Sequence, residues 1–429
     1  MQLDNGKRAS ALRSRLSAAA CMLMAAGAPA AAQAQAAPAA ASTQLDISTL
    51  LYGEKDRANV AEPIARVTRL FANGQSLSAQ VGIDVITGAS PTGALPSGAL
   101  QTVTTPSGKT VQLSANQIPT KSFKDIRRSF DADWTVPVGL VSATVGGHYS
   151  REKDYESFGE NAKVAIDLFH HRTTLTGGAG RNQDTVFPVG GTPVGLSDGS
   201  QPLGTGRNDK HVTTALAGVT QVLTRRWLMS VNGSRTLERG FLTEPYKVIS
   251  LKDPVTNAAV SQLTDNRPSS RDRDNVVVNS VYHLKKDVLY LSYRYYWDDW
   301  KVKSNTYDLR YRDDLGEGTF LEPHLRYYAQ SAADFFRFSL INGKPLPRYA
   351  TSDMRLGKLQ SMTAGVTLGF QPVGSRGEWT IRAEYIRQHL SDQPQVVRAG
   401  GGEEDGPGLT DMFPALNIGS LVIGYSINF

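Results

Sequence analysis

Residues 421–429 read Leu-Val-Ile-Gly-Tyr-Ser-Ile-Asn-Phe, and this stretch carries the clearest structural pattern in the chain. Counting back from the last residue, every second residue is apolar, whereas those between are small or polar apart from Val422. Because successive side chains of a β-strand point to opposite faces, one face of this segment is apolar. The apolar face comprises Leu421, Ile423, Tyr425, Ile427 and Phe429.

A strand of this kind, closed by an aromatic residue, resembles the C-terminal strand of bacterial outer-membrane β-barrels. In those barrels it is the assembly signal that the insertion machinery recognises. We therefore interpret residues 421–429 as a barrel assembly signal. The alternative is an ordinary edge strand of a soluble sheet.

The other end of the chain resembles a secretory leader. Four basic residues lie within 1–15, a short apolar run follows over 16–26, and Ala/Pro/Gln-rich sequence extends to 41. This pattern predicts a signal peptide, and the run is too short for a transmembrane helix. Cys21 is the only cysteine, so lipidation there is the alternative to its removal with the leader. Without Cys21 the chain has no disulfide and no cysteine-ligated metal.

The bulk composition is compatible with a transmembrane barrel. Hydrophobic residues make up 40% of the chain and the mean hydropathy is −0.29. Lumen-facing and lipid-facing residues alternate in a barrel, so their hydropathies average out. The net charge of +6 comes without basic clusters interleaved with stacking aromatics, so we predict no nucleic-acid partner. The predicted organisation is a leader over 1–41 and one barrel over 42–429.

Hydrophobic alternation and turn residues predict about sixteen antiparallel strands, with a count between fourteen and eighteen compatible with the pattern. The connections on one side are all short, whereas most on the other side are long, as in outer-membrane barrels. A large soluble β-sandwich gives no reason for this asymmetry. The predicted strands are 44–52, 64–72, 77–87, 128–137, 140–150, 162–170, 173–181, 211–224, 227–236, 275–284, 288–297, 302–311, 319–329, 353–370, 377–390 and 416–429.

The predicted strands 288–297, 302–311, 319–329 and 377–390 place a group of charged side chains inside the barrel. If the apolar positions face lipid, the opposite parity faces the lumen. A salt-bridge network that lines the lumen is one interpretation, and a constriction that selects solutes is the other. Arginines outnumber carboxylates by one, which favours anions mildly. The predicted lumen residues are Arg294, Asp308, Arg310, Glu322, His324, Arg326, Arg382 and Glu384.

The sequence offers weak candidates for metal binding. Asp298, Asp299 and Asp334 lie near the predicted outer rim of the barrel, and Asp353 lies close to the predicted loop 331–352. Clustered carboxylates of this kind could hold a hard cation such as calcium. Solvated loop charges are the more common role of such residues. His170 and His171 are adjacent on the chain and point to opposite faces of a strand, so they cannot chelate one ion.

Catalytic candidates are equally weak. Ser280 with His283, or Ser391 with His389, could be imagined as the serine and histidine of a lipase-like hydrolase, but no motif supports either pair. The sequence also contains no phosphate loop and no dinucleotide fingerprint. We therefore predict no catalytic, cofactor-binding or metal-binding residues, and no cofactor.

Several segments in order resemble the outer-membrane β-barrel family catalogued as domain of unknown function 3570. The resemblance implies an outer-membrane location without assigned catalytic residues. It also implies proximity to thioredoxin-like and flavin-attachment proteins, so envelope redox proteins are candidate partners. The matching segments are Gly-Ala-Ser-Pro-Thr-Gly-Ala at 88–94, Tyr-Ser-Arg-Glu-Lys-Asp-Tyr at 149–155, Gly-Val-Thr-Gln-Val-Leu at 218–223, Glu-Pro-Tyr-Lys at 244–247, Tyr-Arg-Tyr-Tyr-Trp-Asp-Asp-Trp at 293–300 and Tyr-Ala-Gln-Ser-Ala-Ala-Asp-Phe at 328–335.

These observations predict a bacterial outer-membrane barrel that acts as a pore, an export channel or a scaffold for an envelope system. The alternatives are a lipase-like outer-membrane hydrolase and a surface adhesion or receptor barrel. The expected partners are outer-membrane lipid and the barrel insertion machinery. The transported solute is not specified by any motif.

Overall fold

The computed structural model describes residues 41–55, 57–95, 101–104, 110–113, 120–198, 203–204, 206–397 and 409–429. The predicted leader over 1–41, with Cys21, lies outside these residues except for Ala41. Within the described part, no helix is long and apolar enough to cross a membrane.

Nearly all regular structure in the described residues is β-strand. One short 3₁₀ turn, Met354–Leu356, is the exception among the elements described. The strands in chain order are β1 (Ser42–Glu54), β2 (Ala58–Leu70), β3 (Ser76–Pro91), β4 (Gln101–Thr104), β5 (Thr110–Leu113), β6 (Thr120–Val138), β7 (Val141–Arg151), β8 (Tyr155–Leu168), β9 (Thr173–Val186), β10 (Asn208–Thr224), β11 (Trp227–Gly240), β12 (Val248–Lys252), β13 (Ala259–Thr264), β14 (Ser270–His283), β15 (Val288–Asp298), β16 (Lys303–Gly316), β17 (Thr319–Gln330), β18 (Ser339–Ile341), β19 (Leu359–Phe370), β20 (Gly377–Leu390), β21 (Gln395–Val397), β22 (Leu409–Asp411) and β23 (Leu416–Asn428).

Sixteen of these strands close into one barrel, in the order β1-β2-β3-β6-β7-β8-β9-β10-β11-β14-β15-β16-β17-β19-β20-β23. Neighbours in the barrel are antiparallel, and β23 closes it against β1 with Leu45 opposite Ile427. Closure pairs both edges of every strand, so the barrel exposes no free sheet edge. The predicted sixteen-stranded antiparallel barrel is confirmed, and each of the sixteen predicted strands overlaps one barrel strand.

The two ends of the barrel differ as predicted. At one end, the turn end, the seven connections contain between two and six residues. At the other end, the loop end, five of the connections are long, and short strands within them form small sheets of their own. These are the sheet β13-β12-β18 and the hairpins β4-β5 and β21-β22.

Several predicted strand boundaries are wrong, since β2, β6 and β8 begin six to eight residues earlier than predicted and β19 begins later. The sequence predicts a strand from 353, but Met354–Leu356 forms a 3₁₀ turn and the barrel strand β19 begins at Leu359. The Asp353 side chain accepts a hydrogen bond from the Arg355 backbone N–H and caps this turn. Short polar side chains at such caps compete with strand pairing.

The outward face of the barrel wall is apolar. Along β7, residues of one parity, from Val141 through Val145 to Tyr149, are exposed, whereas the other parity points inward. Trp134, Trp227 and Trp379 are exposed toward the turn end of their strands. Exposed apolar side chains over a closed barrel, flanked by aromatic residues, are the pattern of a wall that contacts lipid.

The long connections pack together across the loop end. Lys247 Nζ donates to the Pro91 carbonyl at 2.6 Å, and Ser352 Oγ donates to the Val248 carbonyl at 2.7 Å. Lys247 follows β11, and Pro91 ends β3, six strands away along the wall. We call this assembly over 241–269 and 331–358 the loop cap. The loop cap packs against the β15–β16 and β20–β23 connections and the adjoining ends of β19 and β20. The buried apolar cluster at this contact is Leu242, Trp300, Val302, Ala333, Phe336, Met354, Leu356, Leu359, Leu390, Met412 and Phe413.

Candidate functional site

The lumen wall carries a connected group of charged side chains on β16, β17 and β20. His324 Nε2 lies 2.9 Å from Asp308 Oδ2, and His324 Nδ1 lies 2.8 Å from Glu384 Oε1. Arg326 Nε donates to Asp308 Oδ2 at 2.7 Å. These residues meet because β16, β17, β19 and β20 are consecutive in the barrel and all place this parity inward. Gly365 lies between His324 and Glu384 in the register and leaves room for their contact.

Arg310 extends this group toward the turn end. Its Nη1 lies 3.5 Å from Glu322 Oε1, and its Nε lies 3.7 Å from Asp308 Oδ1. The side chains of Arg310 and Arg326 are 43% and 48% exposed, whereas Asp308 is 12% exposed. The guanidinium groups therefore face open lumen while the carboxylates lie against the wall. We call Asp308, Arg310, Glu322, His324, Arg326 and Glu384 the Asp308 patch.

The other two predicted lumen residues stand outside these contacts. Arg294 lies on β15 opposite Thr306, with its guanidinium carbon 6.0 Å from the centre of the Tyr296 ring. Arg382 lies on β20 between Thr367 of β19 and Val422 of β23. The structure thus joins six of the eight predicted residues and places the remaining two beside them.

A second charged group on the lumen wall was missed by the sequence analysis. In this group His148 Nδ1 lies 2.6 Å from Asp131 Oδ1. The two residues lie on the paired strands β7 and β6. The parity rule could have found it, because Phe130 and Trp134 face outward and Asp131 must then face inward. This group contains three aspartates, two basic residues and one histidine. Its excess of negative charge offsets the excess of arginines on the opposite part of the lumen wall. The members are Asp46, Arg66, Asp131, Asp133, His148 and Lys163.

Buried ion pairs lie both within the wall and within the loop cap. Lys210 Nζ lies 2.5 Å from Asp184 Oδ2, and both side chains are 2% exposed. Arg267 lies 2.6 Å from Asp265 and 2.7 Å from Asp353, all three nearly buried. Such pairs keep their strength because water does not screen them.

Two of the four aspartates considered as calcium ligands already form ion pairs with arginines. Asp298 accepts from Arg271 at 2.9 Å, and Asp353 accepts from Arg267 at 2.7 Å. A carboxylate that already neutralises a buried guanidinium is a poor ligand for an additional cation. The expectation that these residues are solvated loop charges is also wrong for Asp298 and Asp353, which are buried.

Three other carboxyl groups gather where β6 and the β7–β8 turn meet. Oxygens of Asp125, Glu152 and Asp154 lie within 4.8 Å of one another, and all three residues are buried. Burial and the neighbouring carboxylates of Asp125 and Asp154 raise the pKa of Glu152 well above its usual range. Tyr246 of the loop cap donates its hydroxyl to Asp154 Oδ2 at 2.7 Å, so this cluster is also a contact between wall and cap.

The strand geometry separates Ser280 and His283, one of the serine–histidine pairs imagined for a hydrolase. Ser280 and His283 are three residues apart on one strand, so their side chains point to opposite faces. Ser280 Oγ instead accepts a hydrogen bond from Trp227 Nε1 at 2.9 Å on the outer wall. Ser391 follows the last residue of β20, and its backbone N–H bonds the Lys358 carbonyl.

Solved structures similar to this chain include barrels from Pseudomonas aeruginosa. The outer membrane protein OpdK has a TM-score of 0.41 at 10% identity, covering 91% of this chain and 99% of that chain. OccK3 (OpdO) has a TM-score of 0.39 at 10% identity, covering 91% and 96%. The ferric enterobactin receptor PfeA, in complex with BCV-L6, has a TM-score of 0.43 at 11% identity, covering 90% and 60%. Likeness at this level carries no conclusion about the function of this chain.

No protein of curated function matches the sequence. The model of the family described as "Protein of unknown function (DUF3570)" matches residues 13–417. This match covers most of the barrel and confirms the resemblance based on six short segments. The chain therefore belongs to the DUF3570 family of proteins of unknown function.

Proposed function

We propose that this protein is a bacterial outer-membrane pore that passes small charged solutes through its lumen. The Asp308 patch forms the selective surface of that pore, and the loop cap controls entry at the loop end. The single observation that carries the proposal is the exposure of Arg310 and Arg326 to the lumen, at 43% and 48%, inside a closed barrel.

The outer wall supports the proposed location. A membrane accepts only structures whose backbone hydrogen bonds are satisfied internally, and a closed barrel meets this condition. The exposed apolar wall, with Ile47, Val81 and Leu291 among its members, would be costly in water and is favourable in lipid. Outer-membrane lipid and the barrel insertion machinery are then its expected partners.

The charged side chains of the lumen support a weak preference for anions over cations. Arginines facing a confined aqueous path attract anions, but their carboxylate partners and salt weaken this attraction. Because Asp46, Asp131 and Asp133 face the lumen from another part of the wall, we expect a small anion preference that depends on Arg326 and Arg310.

Planar-bilayer recording of the purified full-length barrel tests this function. The reversal potential under a salt gradient is compared for the wild type, for Arg326→Gln and for Arg235→Gln. Arg235 is a suitable control because its exposed side chain pairs with Asp272 on the outward face near the loop end. We expect conductance, and a shift toward cations in Arg326→Gln alone. A barrel without conductance, or equal selectivity in all three proteins, would overturn the proposal.

A further inference from the structure

We propose that Asp131, His148 and Ser150 form a nucleophilic site for acyl transfer on the lumen wall. Ser150 would attack a small acyl ester, His148 would act as the general base, and Asp131 would orient the histidine. This activity is separate from conduction through the pore.

The contacts of the three side chains have the connectivity that this chemistry requires. His148 Nδ1 lies 2.6 Å from Asp131 Oδ1, and His148 Nε2 lies 3.2 Å from Ser150 Oγ. Serine, histidine and carboxylate act together when one ring nitrogen meets the hydroxyl and the other meets the carboxylate. Unrelated folds use this arrangement, so it is recognised by geometry and not by sequence order.

The barrel wall explains why these side chains meet. His148 and Ser150 are two residues apart on β7, so both point into the lumen. Asp131 lies directly opposite His148 on the neighbouring strand β6. Two paired strands therefore fix the positions of all three groups, and rigid elements hold such sites more accurately than loops do.

The two lumen histidines with carboxylate partners differ in their second contact. Both ring nitrogens of His324 face carboxylates, so both must carry hydrogens and neither can accept a proton. His148 faces a carboxylate on Nδ1 and a hydroxyl on Nε2. The neutral form with hydrogen on Nδ1 satisfies both contacts and leaves the Nε2 lone pair to accept the Ser150 proton.

The surroundings of Ser150 limit the substrate to a small group. Ser150 is fully buried, and Ser129 and Ser157 lie directly opposite it on β6 and β8. Gly159 lies opposite His148 on β8. The Asn182 side chain fills the space in front of Gly159, with its Nδ2 2.8 Å from where a β-carbon of that residue would lie, so an acyl group reaches Ser150 only when this side chain moves aside. A long lipid chain does not fit this description.

The proposed reaction is hydrolysis in two balanced steps. Ser150 Oγ forms a bond to the acyl carbon, His148 Nε2 takes the serine proton, and the alcohol leaves with that proton. Water then attacks the acyl-serine, its proton passes through His148 to Ser150 Oγ, and the acid is released. No oxidant, reductant or cofactor is required.

The test uses the full-length barrel in detergent, a small alkyl fluorophosphonate and p-nitrophenyl acetate. We expect covalent labelling of Ser150, identified by mass spectrometry, and none in Ser150→Ala. His148→Asn should slow labelling by about 10²–10⁴-fold, the usual contribution of a general base.

Ser230→Ala is the matched control, because Ser230 is also buried in the lumen wall, on β11, and accepts a hydrogen bond from Asn279 Nδ2 at 3.1 Å. It should keep labelling and ester hydrolysis, and all variants should remain heat-modifiable barrels. Absence of labelling in the folded wild type would overturn the proposal. Equal losses in Ser150→Ala and Ser230→Ala would also overturn it, because they would show a structural role. Bilayer conductance, measured in parallel, separates this outcome from failure of the pore proposal.

Discussion

His324 Nε2 lies 2.9 Å from Asp308 Oδ2, on the neighbouring barrel strands β17 and β16. The same oxygen accepts from Arg326 Nε at 2.7 Å. Asp308 therefore holds a histidine and an arginine against the lumen wall, and Arg310 lies 3.7 Å from its other oxygen. One carboxylate organises three basic groups in the patch to which we assign selectivity.

Asp308→Asn should destabilise the barrel more than a change at an exposed ion pair. The substitution removes the acceptor charge for His324 and Arg326, and hydrogen bonds to charged groups contribute about 1.5–3 kcal/mol each. Water in the lumen reduces this effect, so we expect a loss of about 1–3 kcal/mol in the free energy of unfolding. The midpoint of heat modification, or urea unfolding in lipid, measures it.

Asp392→Asn is the matched control for Asp308→Asn. Asp392 is 74% exposed and pairs with Lys358 at 2.8 Å, so its loss should cost less than about 1 kcal/mol. Equal midpoints for the two variants would show that Asp308 does not organise the patch.

Arg267→Gln should loosen the loop cap without unfolding the barrel. Arg267 is 5% exposed and its removal leaves the buried carboxylates of Asp265 and Asp353 without its charge. Breaking a buried pair by removing one partner costs about 3–5 kcal/mol. Hydrogen exchange of segments 241–269 and 331–358 should increase, whereas exchange in the barrel strands should stay low.

Arg235→Gln serves as the control for the cap, since its exposed pair with Asp272 should contribute less than about 1 kcal/mol. If the cap restricts entry to the pore, Arg267→Gln should also increase conductance, and Arg235→Gln should not. Unchanged exchange over the cap in Arg267→Gln would contradict the structural role assigned to this cluster.

The contact between wall and cap should weaken as pH rises. Burial, with Asp125 and Asp154 close by, raises the pKa of Glu152 well above its usual range. The unfolded form releases this proton near the reference pKa of about 4.3, whereas the folded form retains it. Above that pH the unfolded state binds fewer protons, so stability decreases as pH rises toward the folded-state pKa.

Glu152→Gln should remove this pH dependence, because the amide stays neutral. Proteolysis of the cap, compared between pH 5 and pH 8, should accelerate in the wild type and stay nearly constant in the variant. Lys153→Gln, one residue away, should behave as the wild type. Faster cleavage of the wild type at pH 5 than at pH 8 would reverse the sign and refute the assignment.

Period-two patterns explain what the sequence could predict. The alternation in 77–87 or 421–429 fixes which residues face lipid, and the same parity places Asp308, His324 and Glu384 in the lumen. Parity also predicts that Asp131 of β6 faces the lumen, because its neighbours Phe130 and Ala132 face outward. Side-chain alternation predicts nothing about irregular connections that lack a period-two pattern. The loop cap and its ion pairs, such as Arg267 with Asp353, could therefore not be predicted. These contacts join residues far apart in sequence through irregular backbone.

The contact of Asp131, His148 and Ser150 could also be predicted only in part from the sequence. A histidine and a serine two residues apart share a face in any strand, which the sequence does reveal. Which side chain lies opposite depends on the register of β6 and β7, and a shift by one residue would turn Asp131 to lipid. Only the paired strands fix that register.

Deleting Phe429 should impair barrel assembly. Its backbone N–H donates to the Thr43 carbonyl at 2.9 Å, and its carbonyl accepts from the Thr43 N–H at 3.1 Å. The deletion removes both bonds at the β1–β23 closure, together with an aromatic ring that is 64% exposed. We expect a several-fold decrease in heat-modifiable, membrane-embedded protein.

Point substitutions separate the two contributions of Phe429. Phe429→Ala keeps the backbone bonds and removes the ring, so it should reproduce most of the defect if the insertion machinery recognises the aromatic residue. Phe429→Tyr should assemble normally. Val373→Ala, in an exposed turn at the same end of the barrel, controls for loss of apolar surface. If Phe429→Ala assembles as well as Val373→Ala while the deletion fails, closure by the Thr43 bonds, and not recognition of the ring, sets the requirement.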